Sequence, residues 1–439
     1  MTDRTGIIFG NEIDEKTVRR ANRAKEKFIR KYGDDSAADY RFGTEDIPAL
    51  DFLGARKLVF SEKEEPLSDN PLVVGNIRMG FGHYRISIAM ASCARALGYT
   101  PYWLDLAGFD ATGSKMIREQ NDMYSLASRI SQKSWLFNHF FWEPLNSEGF
   151  RQLTYNAKDQ RNSELLVPIL ASLPKDVPFV ATHVWPSQAA VHNGMTHVVN
   201  AIPDNWPMAL HLSEGAIHAV QTPFAYFGYK IMNGFAKTPL KGIPESDLRM
   251  VGRFVDHELL AGLKKDNMRR IARAKGDGPM RFLMTVGGAG AGFSQFLAMV
   301  KHLLPYVKSG RAAVFINFGD HESVFDRMQD ALEVGKEMPD AVDKAVGSLN
   351  AAVGPVEVPF GRGGEQAEKA HRIRPVLLHH GIGIDDVALG FGHLAPAQEH
   401  HALRKKVAER LVQSLWQVAA VPQHLGEEAG IAQVQNGMF

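Results

Sequence analysis

The sequence predicts an α/β protein built from two Rossmann-like lobes. An apolar strand, a glycine-rich turn and a helix-length segment occur in that order twice, first after residue 71 and again after residue 279. Helix-length segments also separate the later strands, which favours parallel pairing with right-handed crossovers. The chain has 439 residues, 45% hydrophobic and 23% charged, which is typical of a globular protein with two or three domains.

The first 70 residues are rich in charge and precede the first clear strand. Val18, Ala21 and Phe28 fall on one face of a predicted helix in this segment. Residues 61–70 then read as a polar connector. We therefore predict that residues 1–70 form an N-terminal extension, and we assign no chemistry to it.

Residues 71–255 are predicted to form the first lobe. Its opening unit consists of an apolar strand that begins at residue 73, a glycine turn, a helix at 86–97 and a second strand at 102–104. The later strands are predicted at residues 178–184, 197–202, 217–222 and 248–255. The glycine turn follows the carboxyl end of the first strand, where open α/β sheets bind ligands.

The turn reads Gly80-Phe81-Gly82-His83, which is not the six-residue dinucleotide fingerprint, and a simple dehydrogenase is therefore not favoured. An imidazole suits general-base work near neutral pH, and His83 lies near the positive end of the helix dipole. The structural alternative is that His83 only satisfies backbone groups at a tight turn. In that case Gly80 and Gly82 only permit the backbone angles of the turn.

Residues 279–400 are predicted to form the second lobe, after a linker at 275–279. A strand at 280–286 precedes a glycine loop, a helix at 293–304 and a further strand at 312–317. Backbone amides at the start of a helix suit a diphosphate, although the loop could also be merely flexible. The residues predicted to bind the diphosphate are Gly287, Gly288, Ala289 and Gly290.

Three further residues, Gly319, Asp320 and His321, follow the strand at 312–317 and are predicted to contact the nucleotide. A plain helix cap is the alternative for this acidic turn.

Beyond residue 340 the alternation of strands and helices is lost, and residues 401–439 read as a C-terminal helix and tail. No histidine pair there has a spacing of four residues with a glutamate between, so no metal site is predicted.

The order of these motifs resembles that of glycosyltransferases with the GT-B fold, closest to the branch of monogalactosyldiacylglycerol synthase and the peptidoglycan N-acetylglucosaminyltransferase. The resemblance covers residues 71–320. Besides the two glycine segments, it is carried by an acidic and aromatic stretch at 202–206 and by strands at 218–222 and 251–253. The sequence departs from the family pattern at residues 361–368. In the family, a glycine-rich segment followed by a helix supplies an acidic residue that binds the nucleotide ribose, and residues 361–368 fit this segment poorly.

The resemblance implies two lobes that face a central cleft, with the acceptor on the first lobe and a nucleotide-diphosphate sugar, such as a UDP-sugar, on the second. It implies an inverting transfer without metal or cofactor, in which His83 acts as the base or stabilises charge near the reacting hydroxyl. Asp204 becomes the second catalytic candidate, although it could also be a helix cap before Trp206. A lipid-linked acceptor and an enzyme peripheral to the inner face of the membrane are also implied.

Two other functions remain open. One is a nucleotide-sugar epimerase or hydrolase on the same fold, which needs no second substrate other than water and uses a cleft acid or base such as Asp204. The other is a GT-B-like protein that binds a nucleotide sugar without turnover. The identities of the sugar and the acceptor and the oligomeric state are not predicted.

Composition narrows the class of protein further. The formal net charge is +1, so the sequence does not indicate a nucleic-acid partner. Cys93 is the one cysteine of the chain and cannot form an internal disulfide. The N-terminus lacks the apolar run of a signal peptide, and no apolar stretch approaches the ~20 residues of a membrane helix. We therefore expect a cytoplasmic protein.

One segment of the first lobe is unusually aromatic. Residues 135–142 read Trp-Leu-Phe-Asn-His-Phe-Phe-Trp, with Arg129 and Lys133 just upstream. The segment could be part of the core. It could instead be a surface that touches lipid or an apolar acceptor, because Trp and Phe beside basic residues suit a membrane interface.

Overall fold

The computed structural model describes residues 4–78, 81–276, 278–286, 290, 292–318 and 321–332. Contacts divide the described chain into two compact units. The first runs to Lys264 and also includes Gly290, and the second holds the described residues from Lys265 to Val286 and from Gly292 onward. The predicted C-terminal helix and tail lie outside the described residues, as do Gly80, Gly287, Gly288, Ala289, Gly319 and Asp320. The domain boundaries at 255, 279 and 400 remain predictions.

The strands are short, as expected for a sheet flanked by helices. Their bounds are β1 Ile7–Ile8, β2 Asn11–Glu12, β3 Phe42–Asp46, β4 Arg56–Phe60, β5 Pro71–Asn76, β6 Thr100–Asp105, β7 Phe179–Ala181, β8 Val198–Ala201, β9 Ile217–Val220, β10 Leu248–Met250, β11 Met280–Thr285 and β12 Ala312–Asn317.

The α-helices alternate with most of these strands. Their bounds are α1 Glu15–Tyr32, α2 Phe81–Ala96, α3 Thr112–Lys133, α4 Trp135–Phe137, α5 Leu153–Ser163, α6 Val167–Leu170, α7 Val184–His192, α8 Pro223–Ile231, α9 His257–Lys275, α10 Phe293–Lys308 and α11 Glu322–Leu332. Two π-helical turns, Asn138–Trp142 and Leu145–Gly149, follow α4. In the part of the chain that the structure describes, no helix is both long and apolar enough to cross a bilayer.

The first unit is built on an eight-stranded sheet in the order β10-β9-β8-β7-β5-β6-β4-β3. All its neighbouring strands pair in parallel except β3 and β4, which are antiparallel. The α/β class and the predicted parallel pairing of the later strands are therefore confirmed. The chain passes from β5 to β6 on one side and returns to β7 on the other, so the strand order reverses between β5 and β7.

The central strand β5 is apolar almost throughout because both faces of the sheet are covered. Val73 and Val74 are fully buried and belong to separate core clusters. A Cβ at Gly75 would collide with the ring of Phe179 and press on Pro186. This position therefore requires glycine for the close approach of β7 and α7 to β5.

The N-terminal segment does not form a separate extension. Strands β3 and β4, between residues 42 and 60, form one edge of the large sheet. Helix α1 packs against α5, and Phe28 joins the main core cluster. The two strands are not predicted from the sequence because charged residues, including Glu45, Asp46 and Lys57, interrupt their apolar pattern. A strand at the edge of a sheet can carry such charges, since only one of its faces has to be apolar.

Helix α2 begins at Phe81, five residues before the predicted start. Gly82 is a poor helix former, and the polar His83 interrupts the apolar pattern, so the first turn is hidden in the sequence. Gly82 is exposed, and a side chain at this position would meet no described atom within 4 Å of its Cβ. Phe81, Gly82 and His83 therefore occupy the first helical turn rather than a separate loop.

The second unit contains the two predicted strands and the predicted helix between them. Strands β11 and β12 pair in parallel over six residues each, with α10 between them. Val300, Leu303 and Val314 are fully buried in the core of this unit. Gly290 and Gly292 have left-handed φ angles of 68° and 83°, which explains the need for glycine at these two positions of the loop.

Candidate functional site

Five polar side chains of the first unit lie at the carboxyl edge of the sheet, around the point where the strand order reverses. Such reversal points are the usual ligand sites of open α/β sheets. These residues are Asn76, His83, His183, Asp204 and His211, which lie at or after the ends of β5, β7 and β8.

His83 is anchored from α2 to the end of β7. Its Nδ1 lies 2.6 Å from the carbonyl oxygen of Thr182. Because a carbonyl only accepts, Nδ1 carries the proton in this pairing, and Nε2 of the neutral ring keeps its lone pair. Burial lowers the pKa of His83 and outweighs the carbonyl of Thr182, which acts in the opposite direction. At neutral pH His83 is therefore an uncharged ring whose Nε2 can accept a proton.

His183 is the N-cap residue of α7 and has the opposite tautomer. Its Nδ1 accepts a hydrogen bond from the backbone N–H of Trp185 at 3.2 Å, so the neutral ring carries its proton on Nε2. Its ring meets that of His83 edge to face, with centroids 4.9 Å apart. Burial lowers the pKa of His183 well below the ordinary value. The pair thus combines the His83 ring, whose Nε2 can accept a hydrogen bond, with the His183 ring, whose Nε2–H can donate one.

Asp204 follows β8 and supplies a negative charge. Its Oδ2 lies 3.0 Å from Nε2 of His211, which is buried, whereas the carboxylate side chain is 55% exposed. The imidazole of His211 beside it lowers the pKa of Asp204 and favours the ionised carboxylate. Asp204 is also close enough to His83 for their charges to interact. The two predicted catalytic residues therefore lie at the same edge of the sheet.

Buried groups beneath His83 hold this edge together. The hydroxyl of Ser87 lies 2.9 Å from both the His83 carbonyl oxygen and the Thr182 hydroxyl, which ties α2 to the end of β7. Asn76, at the end of β5, is fully buried, and its side-chain amide makes no hydrogen bond with any residue that the structure describes. That amide is a polar group that a ligand or water could satisfy.

Aromatic side chains border the site. Tyr124, on α3, interacts electrostatically with Asp204 and packs against Trp142 with ring centroids 4.9 Å apart. Most of the aromatic segment, residues 135–142, is exposed. Its most exposed side chains are those of Trp135, Leu136, Phe140 and Phe141, which are 55–70% exposed. The interpretation of these four residues as core is therefore wrong.

The predicted donor residues are described only in part. Gly290 lies in the loop after β11, two residues before Gly292, which begins α10 as its N-cap. His321 lies just before α11, and its carbonyl oxygen accepts a hydrogen bond from the backbone N–H of Val324. His321 therefore lies at the start of a helix, as the cap interpretation expects, and its predicted contact with a nucleotide stays a prediction.

His183 and His211 have no motif of their own in the sequence. The one available signal is for His183, which lies near the carboxyl end of the strand predicted at 178–184 and so shares the carboxyl edge with His83. His211 lies in a short helical turn between β8 and β9, and only the folded chain brings it to Asp204. Within the described ranges, no group of three or more His, Cys, Asp or Glu side chains is arranged to hold a metal ion.

Comparison with known proteins gives two family matches. A family described as Domain of unknown function (DUF6937) matches residues 7–231, more than half of the chain. A second, described as Domain of unknown function (DUF6938), matches residues 243–352. No curated protein and no solved structure matches the chain.

Proposed function

We propose that this chain, which belongs to the DUF6937 family, is a glycosyltransferase of the GT-B type that uses a nucleotide-diphosphate sugar. The observation that carries the proposal is the cluster of His83, His183 and Asp204 at the reversal point of the sheet. It combines a neutral base, a hydrogen-bond donor and a fixed negative charge, which suits proton removal from a hydroxyl. The motif order along residues 71–320 supports the choice of sugar transfer over other reactions.

In the proposed reaction, the acceptor hydroxyl gives its proton to Nε2 of His83. The acceptor oxygen then bonds to the anomeric carbon, and the bond from that carbon to the diphosphate breaks, so that the nucleoside diphosphate leaves with the electron pair. The carboxylate of Asp204 stabilises the positive charge that develops on His83. The backbone amides of the loop before α10 hold the diphosphate.

The reaction class is tested by measuring the release of nucleoside diphosphate from a panel of UDP-sugars. Release that requires vesicles containing diacylglycerol or another hydroxyl-bearing lipid supports transfer. Release at the same rate without any acceptor indicates a hydrolase. Binding without release, measured by calorimetry, indicates a protein that binds the nucleotide sugar without turning it over.

The donor site makes a prediction that two glycines can test. Gly290→Asp is expected to weaken UDP binding at least tenfold, since it places a carboxylate against the diphosphate at a backbone that favours glycine. Gly310→Asp is a matched control, because Gly310 has a similar φ of 69° but follows the opposite end of α10. Calorimetric titration with UDP measures both. Equal affinities of the two variants would place the nucleotide elsewhere.

The exposed aromatic segment is proposed to contact a membrane surface or the apolar part of the acceptor. Large apolar side chains exposed together suit such an interface, and the segment borders the catalytic cluster through Trp142 and Tyr124. Trp135→Ser and Phe140→Ser are expected to lower co-sedimentation with phospholipid vesicles by several-fold. Phe52→Ser is the control, because Phe52 is 63% exposed but lies between β3 and β4. Unchanged sedimentation of both segment variants would contradict the contact.

A further inference from the structure

A seam of buried polar side chains lies between α5 and α7, apart from the site described above. Asn156, Asp159 and Gln160 on α5 are buried, as are Gln188 and His192 on α7. Asn156 and Gln188 both donate to the carbonyl oxygen of Leu212, and Gln160 lies 3.0 Å from Nε2 of His192. These contacts account for most of the seam, but they do not account for Asp159.

Burial of Asp159 outweighs the groups that favour its ionised form, so the pKa of this carboxyl is raised. The residue is fully buried, and neither carboxylate oxygen makes a hydrogen bond of standard geometry in the described part of the chain. The Lys158 charge and the Trp185 side chain are the groups that favour its ionised form. A carboxylate held in this way is costly to the fold, as is typical of residues that serve a site rather than the core.

Trp185 connects Asp159 to the catalytic cluster. Its indole is buried and is one of the groups that lower the pKa of Asp159, and its N–H makes no hydrogen bond of standard geometry in the described part of the chain. The same indole ring meets the ring of His183 edge to face, with centroids 5.0 Å apart. His183 in turn meets His83 at 4.9 Å. A line of ring contacts therefore runs from Trp185 through His183 to the proposed base.

We propose that Asp159 and Trp185 are positioning residues for His83. The carboxylate orients the indole, the indole fixes the ring of His183, and His183 limits the rotation of His83 about its hydrogen bond to Thr182. The role of His83 as a base rests on the proposed function, whereas the ring contacts of Trp185, His183 and His83 do not depend on it. Aromatic rings whose centroids lie about 5 Å apart prefer edge-to-face packing. A change in the tilt of one ring therefore changes the preferred tilt of the ring packed against it.

Nuclear magnetic resonance of the His83 ring tests this without a substrate, because both its chemical shift and its pKa report the surroundings of the ring. Trp185→Phe removes the indole N–H but keeps an aromatic ring, and Asp159→Leu removes the carboxylate at similar volume. Each is expected to change the protonation constant of His83 about threefold, which corresponds to half a pKa unit. Because both variants break the same line, the double variant should change it no further.

Two further variants separate positioning from general damage to the seam. Asp159→Asn keeps an oxygen that accepts from the indole and should leave His83 close to wild type. His192→Gln alters the other end of the seam, at Gln160, and should also leave His83 unchanged. If Asp159→Leu does not fold, Trp185→Phe alone still decides the outcome.

The proposal is overturned if Trp185→Phe folds with a wild-type near-ultraviolet circular dichroism spectrum and leaves the His83 shift and pKa unchanged. It is equally overturned if His192→Gln moves His83 as much as Trp185→Phe does. Failure of the proposed function would look different. The chain would then show no sugar transfer, while the ring of His83 would still respond to Trp185 and Asp159.

Discussion

Replacing His83 with alanine is expected to lower the rate of sugar transfer by about 10²–10⁴-fold, the usual effect of losing a general base. The variant loses the Nε2 lone pair that the hydrogen bond to Thr182 leaves available. UDP affinity should change little, because the proposed diphosphate contacts are made by the loop before α10. The measurement is turnover at saturating donor, with UDP affinity determined separately by calorimetry.

The control for this variant is His197→Ala. His197 is also bonded through Nδ1 to a backbone carbonyl, that of Asp176, but it lies exposed at the start of β8. It should therefore keep full activity. A His83→Ala variant that turns over at the wild-type rate would show that His83 only holds the first turn of α2 against the end of β7.

The second large effect concerns stability. Burial raises the pKa of Asp159 to about 7, against about 3.9 for an aspartate in an unfolded chain. Above pH 7 the folded chain must hold a desolvated charge, and the cost is on the order of 4 kcal/mol. Asp159→Asn removes that charge and is expected to stabilise the first unit by a similar amount at pH 8.5.

The sign of the pH dependence follows from proton binding. Between pH 4 and 7 the folded state keeps the proton of Asp159 while the unfolded state loses it, so this residue makes stability fall as pH rises. His192 and His218 act in the opposite direction, because burial lowers the pKa of each to about 4 and only the unfolded chain protonates between pH 4 and 6.5. The gain from Asp159→Asn should therefore vanish near pH 4.

Urea unfolding, followed by tryptophan fluorescence at pH 4.5, 6 and 8.5, measures the difference between Asp159→Asn and wild type. A difference that grows with pH and levels off above pH 7 is the expected result. His218→Asn is the opposing control, because its difference from wild type should change most between pH 4 and 6.5. A pH-independent effect of Asp159→Asn would mean that Asp159 stays ionised in the fold at low pH.

The parallel strands of the first unit follow directly from the sequence because buried parallel strands are continuous apolar runs between helix-length segments. His83 is predicted by the same reasoning, because its turn follows the carboxyl end of the first strand of the lobe, whereas Asp204 is predicted only from the resemblance to GT-B glycosyltransferases. His183 and His211 could not be identified in this way. Their roles depend on β7 lying beside β5 and on the turn after β8 folding back, and both are tertiary facts.

The aromatic segment shows another limit of sequence patterns. A helix that is apolar all round reads the same whether it is buried or exposed, since periodicity reports contrast between faces and not burial itself. Leu136 and Phe141 offer no such contrast with their neighbours. Their exposure depends on what packs above them, and that depends on the path of the chain between α3 and α5.

The charged edges of the large sheet have a consequence for self-association. Strand β3 ends with Glu45 and Asp46, which pair with Lys57 and Arg56 across to β4. The opposite edge, β10, is three residues long and carries Arg249. A strand from another molecule that docked on either edge would have to bury these charges or find too little backbone to pair with. The sheet is therefore protected against growth into fibrils by strand addition.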